Sequence, residues 1–183
     1  APIDYILDRT TFNLHEPLNF VLGPDESLTD SVSAFARFEF EQTEYYWRAW
    51  VHRLAIPFEW QEAVIRAAIT LKLCTYEPTG AIVAAVTTSI PEAPHTQRNW
   101  DYRFCWIRDA YFVLRALNSL SAVRTMENYF RWLMNVVANS NGGHIQPVYG
   151  VGLENDLTEH IVSSLPGYRG MGPVRRGNQA FEH

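Results

Sequence analysis

The chain has 183 residues, of which 47% are hydrophobic and 14% aromatic, and its formal net charge is −5. This length supports one domain with a sizeable core, and the hydrophobic content excludes intrinsic disorder. The 15 Lys and Arg residues are scattered rather than clustered, so we expect no nucleic-acid partner.

The sequence shows no membrane, metal or cofactor signal. No apolar run reaches the roughly 20 residues that span a bilayer, and no signal peptide is visible, so we expect a cytoplasmic protein without membrane association. Cys74 and Cys105 lie in apolar surroundings and are expected to be free thiols, although a disulfide between them stays open. The His residues lack the spacing of metal ligands, so we expect neither a metal nor a cofactor.

Apolar and polar residues alternate over residues 11–22, on either side of a break at Pro17. The apolar positions are Phe12, Leu14, Leu18, Phe20 and Leu22. This period of two predicts two strands that end before Gly23. Because two strands alone are marginal in water, we expect them to belong to a larger sheet.

Helical periodicity replaces this alternation from about residue 30. Aromatic residues recur on neighbouring turns over residues 43–53, and residues 59–74 carry a broad apolar face. Residues 107–120 are apolar almost all round, which is typical of a buried helix. A later helix shows one apolar stripe, formed by Met126, Phe130, Leu133 and Val137. Inner and outer helices in alternation indicate a mainly α fold arranged as a two-layered ring or solenoid.

Two irregular regions accompany these helices. Residues 76–99 form a long connection, and a connection of this length inside a domain is usually functional or disordered. Its apolar content argues against disorder. Helical patterning fades again after residue 138, and we expect loops from there onward.

Residues 99–110 concentrate charged and aromatic side chains ahead of the apolar helix. Arg108 and Asp109 are adjacent at the helix start, where neighbouring side chains diverge by about 100°. Both can therefore line a pocket without merely pairing with each other, and together they suit the vicinal hydroxyls of a sugar. The alternative is a structural ion pair that caps the helix.

Aromatic residues in the same segment strengthen the case for a carbohydrate site. Trp100, Tyr102 and Trp106 offer apolar faces with polar edges, which match the C–H patches and hydroxyls of a sugar. Each could instead serve only core packing. Their crowding beside Asp101 and Arg103 favours a site, because buried charges must be paired or bind something.

A second motif lies in the glycine-rich residues 167–178, which contain Arg169, Arg175 and Arg176. The stretch could cradle an anion, but the strand–turn–helix context of a phosphate loop is missing. A solvated loop with one Arg folded into the core is the alternative.

Several long motifs, in the same order, resemble glycoside hydrolase family 15, the glucoamylase-like enzymes. The central one is RNWDYRFCWIRDA at residues 98–110. Further similar segments are YYWRAW at 45–50, EPTGAIVAAVTTSIPE at 77–92 and LPGYRGMGPVRRGNQA at 165–180. The resemblance therefore runs over nearly the whole chain.

The resemblance implies a division into three parts. Residues 1–28 would end an N-terminal β-sandwich, residues 29–55 would form a linker helix, and residues 56–183 would begin an (α/α)6 catalytic barrel that this chain leaves incomplete. The partners implied are an α-glucan or α-glucoside substrate, together with the rest of the parent chain or a second copy held through exposed apolar helix faces.

The resemblance also implies roles for residues. Arg108 and Asp109 would bind glucose in the deepest subsite, and the other substrate-binding candidates are Trp100, Asp101, Tyr102, Arg103, Trp106 and Arg175. The family hydrolyses with inversion, using two glutamates from later barrel loops, so we expect no catalytic residue in this chain. An exo-acting α-glucosidase of glucoamylase type is the first reading and a trehalase the second. A non-catalytic sugar-binding or protein-interaction fragment is the alternative outside enzymes.

Overall fold

A computed structural model describes residues 3–11, 13–24, 26–140 and 142–182. The chain divides into two compact units, residues 1–52 and 53–183. Unit 1 contains helices α1 (Ile3–Leu7) and α2 (Val32–Val51). The helices of unit 2 are α3 (Gln61–Leu73), α4 (Ile107–Ser119), α5 (Val123–Asn139) and a final 3₁₀ helix, Gln179–Glu182. Its strands are β1 (Thr75–Tyr76), β2 (Ala81–Ile82), β3 (Cys105–Trp106), β4 (Val148–Tyr149), β5 (His160–Ile161) and β6 (Arg175–Arg176). The mainly helical fold is as predicted.

Ser31 is the N-cap of helix α2, and its hydroxyl accepts a hydrogen bond from the Ala34 N–H at 3.2 Å. This N-cap satisfies one of the donors that a helix start leaves open. The helix covers most of the predicted range 43–53, and there Trp47 packs edge-on against Tyr46 and Trp50. Within the described part of the chain, no helix has both the length and the hydropathy of a membrane span.

The two strands predicted over residues 11–22 are not formed. Residue 11 and residues 13–22 have no regular secondary structure, and Phe12 lies outside the described residues. Leu14, Phe20 and Leu22 are exposed, so the alternation meets no apolar surface that would bury one face. Without such a surface and without neighbouring strands, the pattern alone does not hold a sheet together.

Helices α3, α4 and α5 lie where their periodicity predicts, but α4 is not buried all round. Its buried residues are Ala110, Leu114 and Leu117. Tyr111 and Phe112 are 53% and 60% exposed and pack edge-on against each other. The uniform apolar character of α4 therefore supplies one core face and one exposed aromatic face.

The buried face of α5 also differs from the predicted stripe. Tyr129, Trp132 and Val136 turn inward, each one position from a predicted residue, while Phe130 and Val137 are exposed. The ring of Trp132 lies 5.5 Å from that of Tyr129 and 6.2 Å from that of Tyr149 in β4. Burying these large aromatic side chains removes more apolar area from water than burying Phe130 and Val137 would.

Strands β1 and β2 form a hairpin that packs against α5. Thr75 pairs with Ile82 and Tyr76 with Ala81, and both β2 residues are buried. Gly80 turns the hairpin with φ +87°, and a Cβ placed on it would lie 2.4 Å from the Asn128 carbonyl oxygen. The hairpin backbone thus approaches the α5 backbone more closely than any side chain at this position allows.

Both cysteines are free, so the disulfide that the sequence left open is not formed. Cys105 in β3 is fully buried, and burial raises the pKa of its thiol to about 12. Burial also raises the pKa of Cys74. Because the thiolate is the reactive form, these thiols act as core packing groups near neutral pH.

Replacing Gly80 by Ala tests the close approach of the hairpin to α5. We expect a loss of about 2–4 kcal/mol of unfolding free energy, since the new methyl adds a clash to the strain of a positive φ. Urea denaturation followed by circular dichroism measures it. Gly142→Ala is the matched control, because Gly142 has φ +76° but no described atom within 4 Å of its Cβ. Equal losses in the two variants would contradict the clash.

Candidate functional site

A cavity of about 350 Å³ lies in unit 2 where α4 begins, within the size range of small-molecule sites. Six of the eight predicted binding residues line it, namely Trp100, Asp101, Tyr102, Trp106, Arg108 and Asp109. The remaining wall consists of Ala84, Glu159, Gly177, Asn178, Gln179 and Ala180. Two main wall segments, residues 100–109 and 177–180, therefore form one pocket together with Ala84 and Glu159.

Extended backbone pairing holds the first segment in place. The N–H groups of Ala84, Ala85 and Ser89 donate to the carbonyls of Phe104, Tyr102 and Trp100 at 2.9–3.0 Å. Strand β3 pairs with β4, where Trp106 faces Val148. The long connection of residues 76–99 is thus an ordered support for the pocket.

Arg108 and Asp109 pair with each other, against the expectation that they would diverge. Arg108 Nε donates to Asp109 Oδ1 at 3.0 Å, and its guanidinium carbon lies 5.3 Å from the centre of the Trp106 ring. The hydrogen bond to Asp109 raises the pKa of Arg108. The long Arg side chain folds back across the helix start, which overcomes the angular separation of the two Cα–Cβ bonds. Both groups still line the cavity, and the side chain of Asp109 is 38% exposed.

Asp101 has a completely buried side chain whose carboxylate is fully engaged. Its Oδ1 accepts from Arg103 Nε at 2.9 Å, and its Oδ2 accepts from Arg103 Nη2 at 2.9 Å and from the Gly177 N–H at 3.3 Å. The hydrogen bond to Asp101 raises the pKa of Arg103. Asp101 therefore joins the two wall segments. Arg103 lines a neighbouring cavity of about 450 Å³ instead.

Arg175 lies behind the wall rather than in it. Its guanidinium forms an ion pair with Glu159, donates from Nε to Asn99 Oδ1 at 3.1 Å, and lies 5.6 Å from the centre of the Trp100 ring. The Trp100 Nε1–H donates to Glu92 at 3.0 Å. Trp100 is thus held at its edge by Glu92 and contacted on one ring face by Arg175.

The pocket combines aromatic faces with three carboxylates, each paired with an arginine. The pairs are Asp101–Arg103, Asp109–Arg108 and Glu159–Arg175. Ionised carboxylates offer acceptors and guanidiniums offer forked donors, the combination that neighbouring hydroxyls require. No group of three or more metal-ligating side chains occurs among the described residues.

The model of glycosyl hydrolases family 15 matches residues 60–183, a range that contains every residue of the pocket wall. The chain belongs to this family. Membership of glycosyl hydrolases family 15 confirms the resemblance read from residues 77–92, 98–110 and 165–180, while the motif at residues 45–50 lies outside the matched range.

The relatives of this family 15 chain include several trehalases. The trehalase of Mycobacterium tuberculosis is 45% identical over 143 residues, which cover 76% of this chain and 21% of the relative. The trehalase of Thermoplasma volcanium is 40% identical over 142 residues, with 78% and 22% covered. Trehalase 2 of Sulfolobus acidocaldarius is 32% identical over 137 residues, with 75% and 24% covered. The chain spans about a fifth of the length of these curated relatives. A search of the solved structures finds no match.

Sequence reasoning missed three polar residues of the wall, Glu159, Asn178 and Gln179. Asn178 and Gln179 fall in the last of the four motifs, so that motif could have indicated them. No motif or periodicity around Glu159 in the sequence indicates that it lines the pocket. It reaches the pocket because β5 pairs with β6, which places His160 opposite Arg176 and brings Glu159 beside Arg175.

Replacing Asp101 by Asn tests whether its buried charge joins the wall segments. We expect a loss of about 1–3 kcal/mol of unfolding free energy, because the amide cannot accept all the hydrogen bonds that Arg103 and Gly177 donate. Urea denaturation measures the loss. Glu44→Gln removes the charge from the exposed ion pair with Arg48 and should cost no more than about 0.5 kcal/mol. A loss for Asp101→Asn as small as that of the control would count against the joining role.

Proposed function

We propose that this chain is the glucose-binding part of a trehalase, an inverting enzyme that hydrolyses trehalose to two glucose molecules. The observation that carries the proposal is the pocket with its paired carboxylates and tryptophans, within a chain whose relatives are named trehalases. These relatives favour trehalase over the starch-degrading, glucoamylase-type enzyme that the sequence reading placed first.

The pocket supports recognition of a terminal glucose unit. Trehalose joins two glucose units through their anomeric carbons, so either unit can enter a subsite that reads the remaining hydroxyls. Asp109 would accept from one hydroxyl while Arg108 donates to its neighbour. Trp100 and Trp106 would pack against the C–H patches of the ring.

The pairing of each carboxylate with an arginine favours a role in binding over a role in bond cleavage. An inverting glycosidase needs one carboxylic acid to protonate the leaving oxygen and one carboxylate to activate water, about 6.5–9.5 Å apart. Asp101, Asp109 and Glu159 are each engaged with an arginine. We assign them to binding and positioning, and we place the acid and the base on parts of the protein beyond these 183 residues.

This assignment includes a domain arrangement. Residues 56–183 would begin an (α/α)6 barrel, residues 29–55 would serve as the linker, and residues 1–28 would end a preceding β domain whose pairing needs further strands. The exposed aromatic faces of α4 and α5, which include Tyr111, Phe112 and Phe130, would pack against further barrel helices or a second copy.

Kinetics of the full-length gene product test the proposed substrate. We expect trehalose to be hydrolysed with a kcat/KM at least about tenfold above that for maltose, which corresponds to about 1.4 kcal/mol of selectivity. Released glucose is the readout for both sugars, with soluble starch as a third substrate. Equal or better hydrolysis of maltose or starch would contradict a trehalase and restore the glucoamylase-type reading.

Replacing Asp109 by Asn in the full-length gene product tests the subsite. The variant keeps the size of the side chain but loses the charged acceptor, so kcat/KM for trehalose should fall about 10- to 150-fold. Circular dichroism should show the same fold and a thermal midpoint within a few degrees. Glu44→Gln is the control for loss of one exposed negative charge. An Asp109→Asn enzyme with unchanged kcat/KM would remove Asp109 from the subsite.

A further inference from the structure

Glu159, Arg175 and Trp100 form a layered contact at the edge of the pocket. Trp100 and Glu159 line the cavity, while Arg175 lies behind them. The side chains of Arg175 and Glu159 are only 16% and 20% exposed, so their ion pair is well shielded from solvent. The guanidinium lies 5.6 Å from the centre of the Trp100 ring, a cation–π distance.

We propose that Glu159 is a positioning residue for sugar binding, which acts by holding Arg175 against the ring of Trp100. The proposal rests on the function proposed above. In this arrangement Trp100 is the surface on which a glucose ring packs, and Glu159 fixes that surface before any sugar enters.

Two side-chain acceptors restrain the guanidinium of Arg175. Nη1 is committed to Glu159, and Nε is committed to Asn99 Oδ1. Its backbone is held as well, because its N–H donates to Ser89 Oγ at 2.7 Å and its carbonyl accepts from Thr88 Oγ1 at 2.7 Å. Loss of the Glu159 charge would leave a shielded guanidinium with only a neutral partner, and such a group turns toward solvent.

The consequence for Trp100 follows from its two restraints. Glu92 holds only the indole N–H, at 3.0 Å, and a ring held at one edge can still swing about that edge. Arg175 packs on one face of the ring and opposes this motion, and the sugar would pack on the other face. A preformed aromatic surface binds the ground state and the transition state equally well, so losing it should raise KM and leave kcat nearly unchanged.

The test is Glu159→Gln in the full-length gene product, with two readouts. Trehalose kinetics should show KM raised about tenfold and kcat changed less than about twofold. The 19F spectrum of protein labelled with 5-fluorotryptophan should show a shifted or broadened Trp100 resonance, assigned by Trp100→Phe. Glu44→Gln, in the exposed pair of α2, should leave both readouts as in the wild type.

A second variant guards against misfolding of the first. Arg175→Lys keeps the positive charge but loses the planar fork, so it should move the Trp100 resonance and raise KM as Glu159→Gln does. Unchanged KM together with an unchanged Trp100 resonance in both variants would overturn the positioning role, as would a fall in kcat at constant KM.

The two readouts separate this inference from the proposed function. If the wild-type protein does not hydrolyse trehalose, the proposed function fails. A Trp100 resonance that still moves in Glu159→Gln and in Arg175→Lys would then support the positioning of the ring by Glu159. A resonance that does not move would overturn the positioning role, whatever the substrate is.

Discussion

The buried carboxylate of Asp101 is the constraint on which the pocket depends. A charge removed from water needs partners that replace its hydration, and Asp101 takes them from two segments, the Arg103 side chain and the Gly177 N–H. Asn178 adds a hydrogen bond to the Asp101 carbonyl at 3.3 Å. Position 177 requires glycine, because its φ is +90° and a Cβ there would lie 2.3 Å from the Thr158 carbonyl oxygen. Arg103 reaches both carboxylate oxygens, and the Gly177 N–H connects this buried pair to the second segment.

The pairing of each acid with an arginine also bears on the role that we propose for each residue of the pocket. Asp109 and Arg108 remain open to the cavity, Asp101 is enclosed, and Glu159 is shielded with Arg175. This difference in exposure is the basis on which we propose ligand contact for Asp109 and Arg108, a structural role for Asp101 and a positioning role for Glu159. These roles are compatible with a family 15 chain that has trehalases among its relatives.

Local sequence signals predicted much of this arrangement. Features that depend on contacts between residues distant in sequence were not predicted. Helices α3, α4 and α5 follow from their periodicity, and Trp106, Arg108 and Asp109 share the cavity because they are neighbours at one helix start. Glu159 escaped prediction because it reaches the pocket only through the pairing of β5 with β6. The strands expected over residues 11–22 failed for a related reason, since alternation specifies a strand face but supplies no partner. On α5, the predicted stripe was only partly right, because the rings of Tyr129 and Trp132 fill the core and leave Phe130 and Val137 exposed.

A crystal structure of the full-length protein with glucose or trehalose bound tests the central claim most directly. We expect one glucose ring in the cavity, packed on Trp100 or Trp106, with hydroxyls about 3 Å from Asp109 and Arg108. We also expect that Arg103 still encloses Asp101 and that Arg175 remains behind Trp100. A sugar bound elsewhere with the cavity empty, or hydroxyls that contact Asp101 in place of Arg103, would contradict this claim.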